Sequence, residues 1–207
     1  MRAHALPFLA ALAMAAIGPA FAQSTGEPAP AEDGVQPGDG ISLGEPVQDD
    51  GGIGAPYVRE EFGDWDLRCV RTEGGNDPCQ LYQLLEDQGG NAVAEISVFP
   101  LPENQQAEAG ATIVTPLETL LTEQLTLTVD SGQAKRYPFT FCTQIGCIAR
   151  IGLLPEEVDQ FRRGASAIIR IVPAAAADQQ VTLDVSLSGF TAGFNAVQES
   201  NEAATEN

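Results

Sequence analysis

Apolar and polar residues alternate along much of the chain, and this pattern predicts short β-strands. In residues 65–70, Trp65, Leu67 and Cys69 point to one side of an extended chain, while Asp66 and Arg68 point to the other. The same pattern predicts seven more strands, at residues 79–85, 92–99, 125–129, 137–142, 145–151, 167–172 and 181–187. Short strands at this spacing predict an all-β fold, either an antiparallel β-sandwich or a jelly-roll-like barrel.

One or two short helices are expected beside the strands, and the best defined is at residues 155–163. Pro155 leads the segment, acidic residues fill its first turn, Arg162 and Arg163 fill its last turn, and Gly164 closes it. This charge order complements the helix dipole, so Glu156 and Glu157 need no catalytic role.

The first 22 residues have the pattern of a secretory signal peptide. Arg2 precedes an apolar stretch over residues 6–17, and Ala20-Phe21-Ala22 forms an A-x-A cleavage site with Gln23 as the new N-terminus. The alternative, a membrane anchor, needs about 20 apolar residues, and Gly18-Pro19 interrupts the stretch. No later segment is apolar for long enough to span a bilayer. We therefore predict a mature protein without a transmembrane segment, located in the periplasm or secreted.

Two segments are predicted to be disordered, a linker at residues 23–61 and a tail at residues 199–207. Residues 24–61 contain 8 Gly, 5 Pro and 9 acidic residues against the single Arg59. Such a composition buries too little apolar surface to offset the entropy of ordering. The folded domain is therefore predicted at residues 62–198.

The ionisable residues exclude several classes of function. The chain has 29 acidic and 10 basic residues, a formal net charge of -19, and a single histidine. Because that histidine, His4, lies in the predicted signal peptide, the mature protein cannot form a Ser-His-Asp triad, a Cys-His dyad or a histidine-ligated metal site. The strong negative charge also argues against nucleic acid as a partner. No phosphate-binding loop or dinucleotide motif occurs, and we predict no cofactor and no metal.

The four cysteines are predicted to form disulfides, because an even number in an exported chain favours pairing. Sequence allows three pairings, and the short spacings favour Cys69–Cys79 and Cys142–Cys147. The alternative is a four-cysteine zinc site, which the wide spacing of Cys69 and Cys79 disfavours.

Two aspartates are the best candidates for acid–base chemistry. Asp64 and Asp66 would share a face of a strand, as a catalytic carboxylate pair requires. Arg68 follows on the same face, so a solvated, charge-neutralised strand face is the ordinary interpretation. Ser186, Ser188 and Thr191 lack a histidine to activate them. Four arginines could bind an anion, and they are Arg150, Arg162, Arg163 and Arg170. We predict no catalytic residues.

Several ordered segments resemble the invasion-associated locus B family of exported bacterial proteins. The segments are Phe62-Gly63-Asp64-Trp65-Asp66-Leu67-Arg68-Cys69, Pro78-Cys79-Gln80-Leu81, Leu125-Thr126-Leu127-Thr128-Val129-Asp130, Pro138-Phe139-Thr140-Phe141-Cys142, Gly146-Cys147 and Val185-Ser186-Leu187-Ser188-Gly189-Phe190-Thr191-Ala192. They cover nearly all of the predicted domain. The chain departs from the family at Thr115-Pro116-Leu117-Glu118, where relatives usually carry a glycine after the Pro-Leu pair.

The resemblance implies a small periplasmic or cell-surface β-domain with disulfides and no established catalytic residues. The main hypothesis is a non-enzymatic domain that binds an envelope or host-surface protein through strand edges or loop ends. A second hypothesis is a structural role in envelope integrity without a specific ligand. A third is a hydrolase of an envelope polymer that uses Asp64 and Asp66, which requires the two side chains to be buried together.

Overall fold

The computed structural model describes residues 51–205. The predicted signal peptide, residues 23–50 of the predicted linker and the last two residues of the predicted tail lie outside the described part of the chain.

The described residues form eleven strands, two α-helices and one short 3-10 helix. In chain order they are β1 (Pro56–Phe62), β2 (Trp65–Val70), β3 (Cys79–Glu86), β4 (Ala92–Pro100), β5 (Ala109–Thr115), a 3-10 helix (Leu121–Glu123), β6 (Leu125–Val129), β7 (Lys135–Tyr137), β8 (Phe141–Thr143), β9 (Gly146–Leu153), α1 (Pro155–Arg163), β10 (Ser166–Ile171), β11 (Val181–Ser186) and α2 (Phe190–Thr205). The helix predicted at residues 155–163 is therefore confirmed as α1, which ends at Gly164.

The strands make two antiparallel sheets. The larger has the order β1-β2-β3-β4-β5-β9-β8 and the smaller the order β11-β10-β6-β7. Each sheet ends in two different edge strands, so neither closes on itself. The prediction of a mostly antiparallel, sandwich-like fold is confirmed, and the barrel alternative is not what forms.

One apolar core joins the two sheets and the helices. Trp65, Leu67 and Cys69 are buried on one face of β2, while Asp66 and Arg68 are half-buried on the other, as the alternation predicts. Helix α2 lies against the larger sheet and places Phe190 and Phe194 in this core. The Phe190 ring packs against Trp65, Phe161 of α1 and Phe194 at centroid distances of 5.5, 5.2 and 5.5 Å. These rings contribute packing energy beyond the area that they bury.

Both boundaries of the predicted domain need correction. Residues 56–61 of the predicted linker belong to β1, whose acidic residues and leading proline are typical of an exposed edge strand that pairs on one side only. Helix α2 extends through residues 199–205 of the predicted tail. Its buried residues Phe190, Phe194 and Val197 have helical spacing, and Asn201 bonds the backbone N–H and C=O of Cys79.

The strand predicted at residues 137–142 is also wrong, because this segment contributes to both sheets. β7 ends at Tyr137 in the smaller sheet, and β8 begins at Phe141 at the edge of the larger one. Pro138 lies between them and has no N–H to continue a ladder. The fold also contains β5, which no prediction included. Small residues, Ala109, Gly110 and Ala111, weaken its apolar alternation.

Candidate interaction surface

Two of the segments that carry the family resemblance, the first and the last, meet at one structural junction. The Trp65 Nε1–H donates to the carbonyl oxygen of Ser186 at 2.7 Å. The buried Gln83 side chain donates to the carbonyl oxygens of Asp64 and Ser186, at 3.0 and 3.1 Å, and accepts from the Ser186 N–H at 2.9 Å. These bonds fasten the β1–β2 turn and β3 to the end of β11. The junction satisfies buried polar groups and holds the two sheets together.

The two candidate carboxylates are not buried together. Asp64 lies in the exposed turn before β2 and accepts from the Ser186 hydroxyl, whereas Asp66 is on the outer face of β2 and pairs with Arg68 at 3.1 Å. Catalytic carboxylate pairs need an environment that separates their pKa values. With one side chain in an exposed turn and the other in an ion pair, this arrangement gives no support to the hydrolase hypothesis.

The candidate hydroxyls make local structural bonds. Ser186 Oγ accepts from the Ser188 N–H at 3.2 Å in addition to its bond to Asp64. Thr191 Oγ1 donates to the carbonyl oxygen of Arg162 at 3.0 Å. The first bond orders the loop that leads into α2, and the second ties the start of α2 to the end of α1.

The candidate anion-binding arginines do not converge. Arg162 reaches Glu108 at 3.5 Å, and Arg163 reaches Asp159 at 3.7 Å. Arg150 lies 5.3 Å from the centroid of the Phe141 ring on the larger sheet, whereas Arg170 is on β10 of the smaller sheet. The structure therefore does not combine them into one anion site.

The four cysteines form two disulfides, Cys69–Cys79 and Cys142–Cys147, as the short spacings favoured. Each bridge joins directly opposed residues on neighbouring antiparallel strands. The zinc alternative is overturned because the four sulfur atoms are bonded in two separate pairs and none is free. The two bridges lie in different surroundings. Cys69 and Cys79 are in the core, whereas Cys142 is exposed on the edge strand β8.

The outer face of the larger sheet, which faces away from the core, carries a polar row on one side. The Arg68 guanidinium lies 3.2 Å from the centroid of the Tyr82 ring, and the Tyr82 hydroxyl donates to Glu95 at 3.0 Å. The pKa of Tyr82 is raised mainly by burial and, to a smaller extent, by the hydrogen bond to the Glu95 carboxylate. Arg68 also pairs with Asp66, so β2, β3 and β4 are linked across this face.

Beside the polar row, the same face carries apolar residues. Directly opposed residues on neighbouring strands form a row that crosses five strands on one face. The row contains Leu84 on β3, Glu95 on β4, Val114 on β5, Ile148 on β9 and Phe141 on β8. A groove of about 400 Å³ lies at its end. We call this surface the outer patch and define it by Leu84, Val93, Val114, Pro116, Phe141 and Ile145.

Several side chains of the outer patch are unusually exposed for their type. The exposed fractions are 51% for Leu84, 40% for Phe141 and 75% for Ile145, which is at the tip of the β8–β9 hairpin. Leu117, in the turn after β5, adds a fourth exposed apolar side chain at this end. Contiguous apolar side chains on a surface, unlike scattered ones, mark interaction sites.

The helices within residues 51–205 lack the length and apolar character that a membrane span requires. No group of three or more histidine, cysteine or acidic side chains in residues 51–205 could hold a metal ion.

Comparison with known proteins identifies the family. A family model described as invasion associated locus B (IalB) protein matches residues 65–198, well over half of the chain. The chain belongs to the IalB family. The crystal structure of invasion associated protein B from Bartonella henselae is similar, with a TM-score of 0.59 and 22% sequence identity, covering 70% of this chain and 97% of that chain. At this identity the likeness concerns the fold. No curated protein sequence matches the chain.

The IalB match extends from the start of β2 into α2 and includes Gln83 and Ser186 of the junction. The IalB-like segments thus account for the framework of the domain. The departure from the family at Thr115-Pro116-Leu117-Glu118 lies at the end of β5, where Pro116 lines the groove of the outer patch.

The outer patch was not predicted from the sequence, although the sequences of β3 and β5 contain a pattern that points to it. Within strands of period two, two consecutive large apolar residues must point to opposite faces. Leu84-Leu85 in β3 and Ile113-Val114 in β5 are such pairs, and the second sheet covers only one member of each. Which member stays uncovered depends on the packing of the two sheets, so the strand pattern alone could not locate the patch.

Proposed function

We propose that this IalB-family protein is exported and acts by binding another protein through the outer patch, without catalysing a reaction. Export is supported by the signal-peptide pattern of residues 1–22 and by two disulfides, which form and persist in oxidising compartments. We expect cleavage after Ala22 and a mature chain that begins at Gln23, in the periplasm or at the cell surface.

The observation that carries the proposal is the exposure of Leu84 and Phe141 on one face of the larger sheet and of Ile145 at the tip of its β8–β9 hairpin. Burying a Leu, Ile or Phe side chain contributes about 1.5–3 kcal/mol. A surface that leaves three of them in solvent gains affinity when a partner covers them. The strands hold Leu84 and Phe141 in place, which lowers the entropy cost of binding.

The chemistry of the outer patch selects the kind of partner. Glu95 is the one charged residue that lines the groove, and its carboxylate is bonded to Tyr82. Elsewhere the chain is strongly acidic. An apolar protein surface or an apolar peptide segment of an envelope or host-surface protein fits the groove, and a polyanion does not.

In-cell photo-crosslinking tests the proposal. A photoreactive amino acid is placed at position 145, in the outer patch, and in a matched strain at Val58, an exposed apolar residue on the opposite edge of the same sheet. We expect a discrete adduct from position 145 and none from position 58. An equal pattern of adducts from both positions, or no adduct from position 145 at normal protein levels, would contradict binding through the patch.

The same experiment separates binding from a purely structural role in the envelope. A structural protein without a specific ligand would give either no adduct or a diffuse set of neighbours from position 145. Mass spectrometry of the adduct, followed by the reciprocal crosslink from the identified partner, distinguishes the two.

A further inference from the structure

The two disulfides differ in their access to solvent. The Cys69–Cys79 bridge is buried, with residue exposures of 0% and 5%. Cys142 is exposed, although its partner Cys147 is only 1% exposed. This bridge is therefore the one next to solvent in the native protein, whereas a thiol reaches the other bridge only after the core opens.

The strands on either side of the exposed bridge are held very differently. Cys147 is on β9, which pairs with β5 along seven residues, and the Thr115 hydroxyl donates to the Cys147 carbonyl oxygen at 3.2 Å. Cys142 is on β8, a three-residue strand at the edge of the sheet. When the bridge opens, β8 is the side that is free to move.

This strand belongs to the hairpin that carries part of the outer patch. Phe141 is next to Cys142 and points to the opposite face, and Ile145 is at the hairpin tip, where it lines the groove. The disulfide thus fixes the positions of two patch side chains without itself being part of the apolar surface.

We propose that Cys142–Cys147 is a thiol-exchange site, at which a small thiol or the dithiol of an exported oxidoreductase controls the shape of the outer patch, while Cys69–Cys79 is a permanent structural bridge. The control of binding rests on the proposed function, whereas the exchange chemistry is independent of it.

The exchange balances as two thiol–disulfide steps. The attacking thiolate forms a bond to Cys142 Sγ, the Cys142–Cys147 bond breaks, and its electron pair leaves on Cys147 Sγ, which takes a proton from solvent. A second thiolate attacks the sulfur of the first thiol, forms the external disulfide and releases the Cys142 thiolate, which is then protonated. Two thiols are oxidised and one protein disulfide is reduced. Attack by the Cys147 thiolate on the mixed disulfide reverses the first step.

Differential alkylation tests the chemistry on the purified full-length mature protein. The native protein is exposed to reduced glutathione, quenched with acid, alkylated and mapped by peptide mass spectrometry. We expect glutathione to reduce the Cys142–Cys147 bridge, as reported by the alkylated cysteines, about tenfold faster than it reduces the Cys69–Cys79 bridge. The buried pair is reached only through opening of the core. In urea the two pairs should react at similar rates. Equal rates without urea, or no reaction of Cys142 and Cys147 until the protein unfolds, would overturn the proposal.

A pair of double variants tests the consequence for binding. Cys142→Ser with Cys147→Ser mimics the open bridge, and Cys69→Ser with Cys79→Ser is the matched core control. We expect the first double variant to remain folded and to lower the adduct yield from position 145 about threefold, since apparent affinity falls with the fraction of binding-competent conformation. An unchanged yield would overturn the control of binding. If Cys142 is alkylated rapidly but the wild type gives no adduct from position 145, the proposed function is wrong and the exchange chemistry still holds.

Discussion

Trp65 and Ser186 are 121 residues apart in the chain, yet the indole N–H of Trp65 donates to the Ser186 carbonyl oxygen at 2.7 Å. The same carbonyl accepts from Gln83 Nε2. The start of β2, the middle of β3 and the end of β11 are thereby joined by side chains that are themselves buried or nearly so. Asp64, Trp65 and Ser186, from the first and last of the family-like segments, serve this junction, whereas Phe141, from another such segment, belongs to the outer patch.

Loss of the Gln83 side chain should destabilise the junction. Gln83→Leu leaves the Ser186 N–H and the Asp64 carbonyl oxygen without this partner, and each hydrogen bond lost at this part-buried site costs about 0.5–1.5 kcal/mol. Urea unfolding followed by the fluorescence of the single tryptophan, Trp65, measures the change. Gln80→Leu, on the same strand but on the outer face, is the matched control and should stay within about 0.5 kcal/mol of the wild type. Equal losses in both variants would show that Gln83 has no special role.

Gly189 should tolerate no side chain, because a Cβ there would lie 1.9 Å from the Phe62 carbonyl oxygen. Gly54 has the same φ of +86° but nothing within 4 Å of a Cβ. An alanine at Gly54 therefore measures only the cost of placing a side chain on this left-handed backbone conformation. We expect Gly54→Ala to lower the free energy of unfolding by about 1–2 kcal/mol. Gly189→Ala should lower it by about 1–3 kcal/mol more through overpacking. If thermal or urea unfolding gives the same loss for both, the close approach at the junction does not matter.

Glu157 should make the stability of the protein depend on pH below its ordinary pKa of 4.5. Burial raises the pKa of this carboxyl, but the bond from Lys135 Nζ at 2.7 Å, the Leu154 N–H and the Tyr137 hydroxyl together lower it. Because the folded-state pKa is below the unfolded one, the stabilisation is complete above pH 4.5 and is lost as pH falls through the folded value.

Glu157→Gln should therefore cost about 1–3 kcal/mol at pH 7 and flatten the acid side of the stability profile. Glu156→Gln, at the neighbouring exposed position, should lose only its interaction with the helix dipole, about 0.3–1 kcal/mol at pH 7. Unfolding free energies measured from pH 7 to pH 3 compare the three proteins. A Glu157→Gln profile parallel to that of the wild type would contradict the argument. Some slope should remain in the variant, because hydrogen bonds also lower the pKa values of Asp77 and Asp87.

The strand pattern was informative where a strand is covered on one face. Strands β2 and β6 match their predictions, because Leu125 and Leu127 alternate with threonines as clearly as Trp65 and Leu67 alternate with charged residues. The cysteine spacing likewise gave both disulfides, since directly opposed cysteines on a hairpin are close in sequence.

The features that were not predicted from the sequence all depend on contacts between residues that are distant in the chain. β1 is too polar to look like a strand, and it forms because β2 offers a free edge. The segment at residues 137–142 divides between the sheets, which no local pattern shows. The outer patch exists because the second sheet and α2 cover only one face of the larger sheet, so Leu84 stays exposed while Leu85 is buried.

The most direct test of binding through the outer patch compares Leu84→Ser with Leu121→Ser in cells that carry the photoreactive residue at position 145. Both leucines are exposed, at 51% and 42%, but only Leu84 belongs to the patch. With protein levels and unfolding midpoints matched, we predict that Leu84→Ser lowers the adduct yield about tenfold, which corresponds to 1.4 kcal/mol of binding energy. Leu121→Ser should leave the yield unchanged. Equal yields from the two variants would contradict binding through the patch.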